Sequence, residues 1–316
     1  MWRLWGRGKC GSSQRCGNVA VHTARGIMQQ FGPIFKPGRA PQGRPKPVDQ
    51  TLFQILAALL GLALGSFATC AGHRLATGGS VTSPARSFCP DCGHSLCWHE
   101  NIPLLGYLLQ GGRCRHCSGR ISLRYPLTEL AGAGFALGAA AAFGPTWHWL
   151  AALGFGTLLL VLSLIDLETL LLPDALTLPG ALAAFLFSAL APRQHTLGIG
   201  WQAALWGALA GGGGLTLLAW AYRRIRGEDG LGLGDAKLML LVGALLGPAA
   251  VPLTLFSGAC LALPAGLLAV RQASLEGDSD GLRTALPFGP FLCAGAAAYL
   301  LAGPQFLRWW LGAPLP

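Results

Sequence analysis

Charge is what this sequence has least of. Only 11% of its 316 residues are Asp, Glu, Lys or Arg, against about 25% in an average soluble domain. That shortfall excludes an ordinary water-soluble globule. Acidic residues are the scarcest, 13 against 23 Lys and Arg, so two carboxylates brought together by the fold would stand out. The first 49 residues do not read as a signal peptide, because no apolar core there precedes a small-residue cleavage site. The glycine run Gly211–Gly214 is followed by no Lys-Ser/Thr pair, which excludes a phosphate loop and favours close helix packing.

What is present is hydrocarbon. Apolar residues make up 52% of the chain and the mean hydropathy is +0.49. Apolar stretches recur from residue 52 onward, each near the roughly 20 residues that cross a ~30 Å hydrocarbon core as a helix. Open sheets are excluded, because backbone polar groups in lipid have to be satisfied within the segment. The sequence therefore predicts an all-α, polytopic membrane helical bundle embedded in the lipid bilayer. About eight spans are expected, near 52–72, 128–144, 147–165, 174–192, 200–222, 236–249, 251–270 and 287–303. Residues 1–49, rich in Gly, Pro, Gln and basic side chains, read as a disordered tail. A first span follows at 50–72, then a polar loop domain at 73–127 and a helical membrane domain at 128–316.

The net charge of +10 reads as topology, with no nucleic-acid partner expected. Arg74, Arg86, Arg113, Arg115, Arg120 and Arg124 fall in the 73–127 loop, Arg223, Arg224 and Arg226 after span five, and Arg271 and Arg283 after span seven. With eight spans these three loops share one side, which the positive-inside rule assigns to the cytoplasm. The basic tail pulls the other way, since it argues for a cytoplasmic N-terminus.

Two constellations carry chemistry. Cys89-Pro-Asp-Cys92 and Cys114-Arg-His-Cys117 are CxxC knuckles separated by 21 residues. Each presents two thiolates to one ion, and the pair closes a four-sulfur tetrahedral shell suited to structural zinc. Redox dithiols are the alternative, and Cys97, His94, His99 and His116 are substitute ligands of less regular spacing. Cys70, Cys260 and Cys293 lie in apolar spans and read as small hydrophobes.

The second constellation is Asp166, at the end of span three, and Asp235, at the start of span six. The expected topology puts both at the cytoplasmic membrane boundary, although 69 positions separate them. Ionisable groups at such depth default to function, and two facing carboxylates that share one proton form an acid–base pair for hydrolysis. Gly232 and Gly234 let the backbone bend and approach closely before the helix, and Lys237 follows two residues after Asp235. The bland readings are that Asp235 is a helix N-cap, that Asp166 and Glu168 are loop charges, that Asp174 caps span four, and that Lys237 pairs with a carboxylate. A proton-relay transporter or a structural assembly factor that docks through the cysteine loop are the rival classes.

Larger blocks of sequence carry a resemblance. GSF at 65–67 with His73-Arg74, the CxxC pair, WHENIP at 98–103, GRC at 112–114, ISLRYPLTE at 121–129, DLETLLLPDALTLP at 166–179, GLGLGDAKL at 230–238 and PFGP at 287–290 resemble, in order and spacing, the type IV prepilin peptidases. These are GxGD-type aspartic proteases that are also N-methyltransferases. The resemblance implies Asp166 and Asp235 as the catalytic pair, with Gly232, Gly234 and Lys237 around them. It implies Zn2+ on Cys89, Cys92, Cys114 and Cys117 in a cytoplasmic loop associated with methyl transfer. It further implies cleavage of prepilin and pseudopilin leaders at a bacterial inner membrane, with the active site facing the cytoplasm. N-methylation by S-adenosylmethionine would follow, serving type IV pili or type II secretion; the alternative is a peptidase alone. Thr69 stands where the family usually has Asn.

Overall fold

The computed structural model describes residues 47–310 except 84–85, 90, 228–231 and 276–285. Residues 1–46 of the expected tail, Arg283 and the first two residues of the GLGLGD stretch lie outside the described residues, whereas 47–49, expected in that tail, open the first helix. What is described is all helical, with isolated β-bridges in place of strands. The helices are α1 Pro47–Ala76, α2 Leu105–Leu109, α3 Arg124–Phe143, α4 Trp147–Thr169, α5 Asp174–Leu190, α6 Trp201–Ala208, α7 Gly214–Arg226, α8 Leu233–Leu246, α9 Ala250–Leu275 and α10 Gly289–Trp310. A π-helical turn, Leu209–Gly213, joins α6 to α7 into one continuous rod.

Among the described residues, five helical segments are long and apolar enough to cross a membrane: Gln50–Ala76, Arg124–Phe143, Trp147–Thr169, Trp201–Arg226 and Ala250–Arg271. The other three expected spans appear as shorter helices, Asp174–Leu190, Leu233–Leu246 and the apolar part of α10 at Gly289–Gly303. The shortest of them is the most enclosed. In α8, Ala236, Leu238, Met239, Leu241, Val242, Ala244, Leu245 and Leu246 are all buried, and α5, α6, α7, α9 and α10 pack around it. Its 14 residues reach about 21 Å at 1.5 Å per residue.

Glycine sets the closest contacts. A Cβ on Gly207 would lie 2.1 Å from the Gly243 carbonyl oxygen, and one on Gly243 would lie 2.0 Å from that of Gly207. Gly211 and Gly212 likewise abut Met239 and Leu240, so the glycine run seats the π turn directly on α8. On the other side Gly61 and Gly65 of α1 meet the α3 backbone at Gly132 and Thr128. Thr69 seals that seam, its hydroxyl 2.5 Å from the Thr128 hydroxyl and donating to the Gly65 carbonyl at 3.0 Å.

Candidate active site and metal centre

The apolar run of α4 delivers Asp166 to within one turn of the helix end. Leu159, Val161, Leu162, Leu164 and Ile165 are buried beside it, and Asp166 itself is only 5% exposed. Its Oδ2 accepts a hydrogen bond from the Gly289 backbone N–H at 2.9 Å. Gly289 is the first residue of α10, so a helix N-terminus, with its unpaired donors and partial positive charge, faces the carboxylate. No side chain fits there, because a Cβ on Gly289 would stand 2.6 Å from Oδ2.

Asp235 arrives from the opposite direction in sequence. Gly232 is the N-cap of α8, and Asp235 is its third residue and half-buried. The two carboxylates lie within electrostatic range of each other. Helix end α4 and helix start α8 are therefore brought together, and the N-cap reading of Asp235 does not describe what it does. Cys293 is buried in the hydrophobic core, as a small hydrophobe in an apolar span should be, and lies within electrostatic range of both carboxylates.

The neighbouring glycines differ in role. Gly232 has φ −66° and ψ 127°, a conformation open to any residue, whereas Gly234 packs close to the Leu172 side chain, at 3.3 Å from a built Cβ. Lys237 turns to Asp174, Nζ to Oδ1 2.5 Å, and ties α8 to the start of α5. Asp174 is the first residue of α5 rather than its cap, which is Pro173. Glu168, two residues beyond Asp166, contacts His73 Nδ1 at 3.3 Å and Arg124 at 3.4 Å. It joins the ends of α1, α3 and α4.

The loop between α1 and α3 is organised by two matching knuckles. In each, the backbone N–H that follows the second cysteine returns to the carbonyl of the first: Gly93 to Cys89 and Ser118 to Cys114, both at 2.9 Å. Both of these residues have positive φ. The sulfurs of Cys89, Cys92, Cys114 and Cys117 lie within 4.8 Å of one another, with Cys89 and Cys117 3.9 Å apart. A tetrahedral site with metal–sulfur bonds of about 2.3 Å has sulfurs about 3.8 Å apart, whereas a disulfide needs about 2.05 Å. The amides of Cys117 and His116 point at the Cys114 sulfur and draw its pKa down to about 7, as a metal-binding thiolate requires. His94 and His116 stack on each other, centroids 3.7 Å apart. Four thiolates with amide donors and no carboxylate among them can hold a soft divalent ion.

Residues 59–143 match the bacterial peptidase A24 N-terminal domain and residues 153–267 the type IV leader peptidase family. A prepilin leader peptidase/N-methyltransferase of Burkholderia pseudomallei is 39% identical over 274 residues, 79% of this chain and 85% of that one. The chain belongs to the type IV leader peptidase family. Family members of the same description from Aeromonas hydrophila (39% over 228 residues, 72% of this chain and 74% of that one) and Pseudomonas aeruginosa (34% over 281 residues, 82% and 93%) are also similar. No solved structure matches the chain. The family's two matched regions divide the site: the cysteine knuckles lie in the first, and both aspartates in the second.

Proposed function

We propose that this chain is a membrane aspartic endopeptidase that removes the leader from type IV prepilins and type II secretion pseudopilins, then methylates the new N-terminus using S-adenosylmethionine. The observation that carries the reading is the approach of Asp166 and Asp235, from helices far apart in sequence, to within electrostatic range of each other. Family membership and the names borne by the relatives support the substrate and both activities.

In the proposed mechanism one aspartate is ionised and removes a proton from water as it attacks the leader's scissile carbonyl. The other is protonated and stabilises the developing oxyanion, and a proton then passes to the leaving amine. The Gly289 amide keeps the Asp166 carboxylate aimed. Gly234 and the Lys237–Asp174 pair hold the start of α8 in place. S-adenosylmethionine, when bound, would supply the methyl group that the freed amine, once neutral, accepts.

Zinc on the four cysteines would fix the loop between α1 and α3, so that residues 73–127 form the part associated with methyl transfer and residues 128–316 the peptidase. The eight helical segments cross a bacterial inner membrane, with the basic loops and the aspartate pair on the cytoplasmic face. A synthetic prepilin, incubated with reconstituted protein with and without S-adenosylmethionine and weighed by mass spectrometry, tests the whole reading. Asp166→Asn or Asp235→Asn abolishes cleavage in a protein that still inserts; full activity in either variant overturns the mechanism.

A further inference from the structure

Away from the aspartate pair, the knuckle loop and the membrane-edge ends of α1 and α3 enclose a cavity of about 250 Å³. Its wall combines aromatic faces from Phe88, Tyr107 and Tyr125 with hydrogen-bond acceptors. Glu129 is 6% exposed, and one of its carboxylate oxygens accepts the Leu104 N–H at 2.8 Å. The Gln110 Oε1 is buried without a hydrogen-bond partner, while its amide nitrogen donates to the Gly106 and Glu100 carbonyls. Glu100 and Asp91 add further carboxylates.

The cations on the wall are largely occupied. Arg74 donates to the Val81 and Arg86 carbonyls at 2.9 and 3.1 Å, and His73 pairs with Glu168; Arg120 is exposed. A recess with spare acceptors, buried carboxylate and aromatic faces suits a flat, cationic ligand rich in donors. It disfavours a nucleotide, whose phosphates would meet Glu129 and Glu100.

We propose that this cavity is the methyl-donor site, holding S-adenosylmethionine with its cationic end toward Glu129 and its donor groups toward Gln110. The proposal rests on the methyl-transfer reading above. It also gives the two activities a shared border: His73 lines the cavity and touches Glu168, which lies two residues beyond Asp166. A newly freed N-terminus crosses that border to reach the donor without leaving the membrane edge. Thr69 faces Thr128 and is not part of the cavity wall, so its replacement of the family's usual Asn leaves the cavity intact.

The test is equilibrium binding of tritiated S-adenosylmethionine to the full chain in lipid nanodiscs, with zinc content and leader cleavage as checks on folding. Glu129→Gln keeps an acceptor for Leu104 but removes the charge, and weakens donor binding about ten- to hundredfold, the span of a lost charge-assisted hydrogen bond. Gln110→Leu weakens it by a second route. Cleavage stays within twofold in both variants, and Asp166→Asn binds donor like the wild type. Undiminished binding by Glu129→Gln and Gln110→Leu, in a chain that does methylate, overturns the location while sparing the methyl-transfer reading. A wild-type chain that neither binds the donor nor methylates overturns both.

Discussion

Gly289→Ala isolates the contact that aims Asp166. The added methyl would start 2.6 Å from Oδ2, 3.0 Å from Cγ and 3.3 Å from Cβ of Asp166, and a carbon does not persist inside 3.0 Å of another heavy atom. The cheapest relief is rotation of the short carboxylate, since moving α10 would disturb Leu292, Ala296 and Leu300, which are fully packed. Rotation gives up the 2.9 Å hydrogen bond from the Gly289 amide, and a hydrogen bond to a charged group contributes about 1.5–3 kcal/mol. It also swings the reacting oxygen by something like 1 Å, a displacement that can cost about a hundredfold in rate. We expect kcat/KM for a synthetic prepilin to fall about ten- to hundredfold while the protein stays inserted and keeps its metal. Gly154→Ala is the control, because nothing lies within 4 Å of a Cβ built there, and its activity stays at the wild-type level. A Gly289→Ala protein that cleaves like the wild type would refute both the contact and its catalytic purpose.

Three further outcomes follow from the packing and the metal site. Gly243→Ala drives a Cβ into the Gly207 carbonyl and, at an overpacking cost of about 1–3 kcal/mol, lowers the midpoint of thermal unfolding in nanodiscs; an unchanged midpoint contradicts the backbone contact. Metal release is expected as pH falls, because a metal is held by deprotonated thiolates and metal loss takes up protons. The loop's stabilisation is therefore present at neutral pH and lost on acidification, which a chromogenic zinc indicator can follow; Cys89→Ser or Cys114→Ser releases the ion without acid, and full zinc retention in either excludes these ligands. Glu168→Gln removes two partly exposed ion pairs worth at most about 1 kcal/mol together, so denaturation is unchanged within that margin, and a larger loss points to a buried role.

The spans and the knuckles were legible because each has a period or spacing that physics reads directly. Apolar length marks a membrane helix, and CxxC spacing closes a metal shell. The approach of Asp166 and Asp235 was legible for a different reason: they are scarce acids at span ends that counting crossings assigns to one face. What stayed hidden were contacts that have no sequence period. Gly289 gave no sign that its amide meets a carboxylate 123 positions earlier, although the PFGP stretch containing it belongs to the blocks that carried the resemblance. Glu168 read as a loop charge and Glu129 drew no reading at all, because only the fold gathers His73 and Arg124 around the first and brings the loop over the second. Lys237 read either as part of the acid pair's surroundings or as paired with a carboxylate, and the pairing is what the fold makes, with Asp174 of another helix.

The brevity of α8 has a consequence for how the molecule meets its lipid. At about 21 Å it falls some 9 Å short of a ~30 Å hydrocarbon slab. A lone helix of that length would pinch the bilayer or tilt its neighbours to cover the deficit. Here five other helices, together with the π turn, surround it, and the residues from Leu238 to Leu246 are nearly all out of reach of lipid tails. The mismatch is therefore absorbed by protein. The depth of Asp235 is set by side-chain packing and not by membrane thickness, so the spacing of the two carboxylates is the same in thick and thin bilayers.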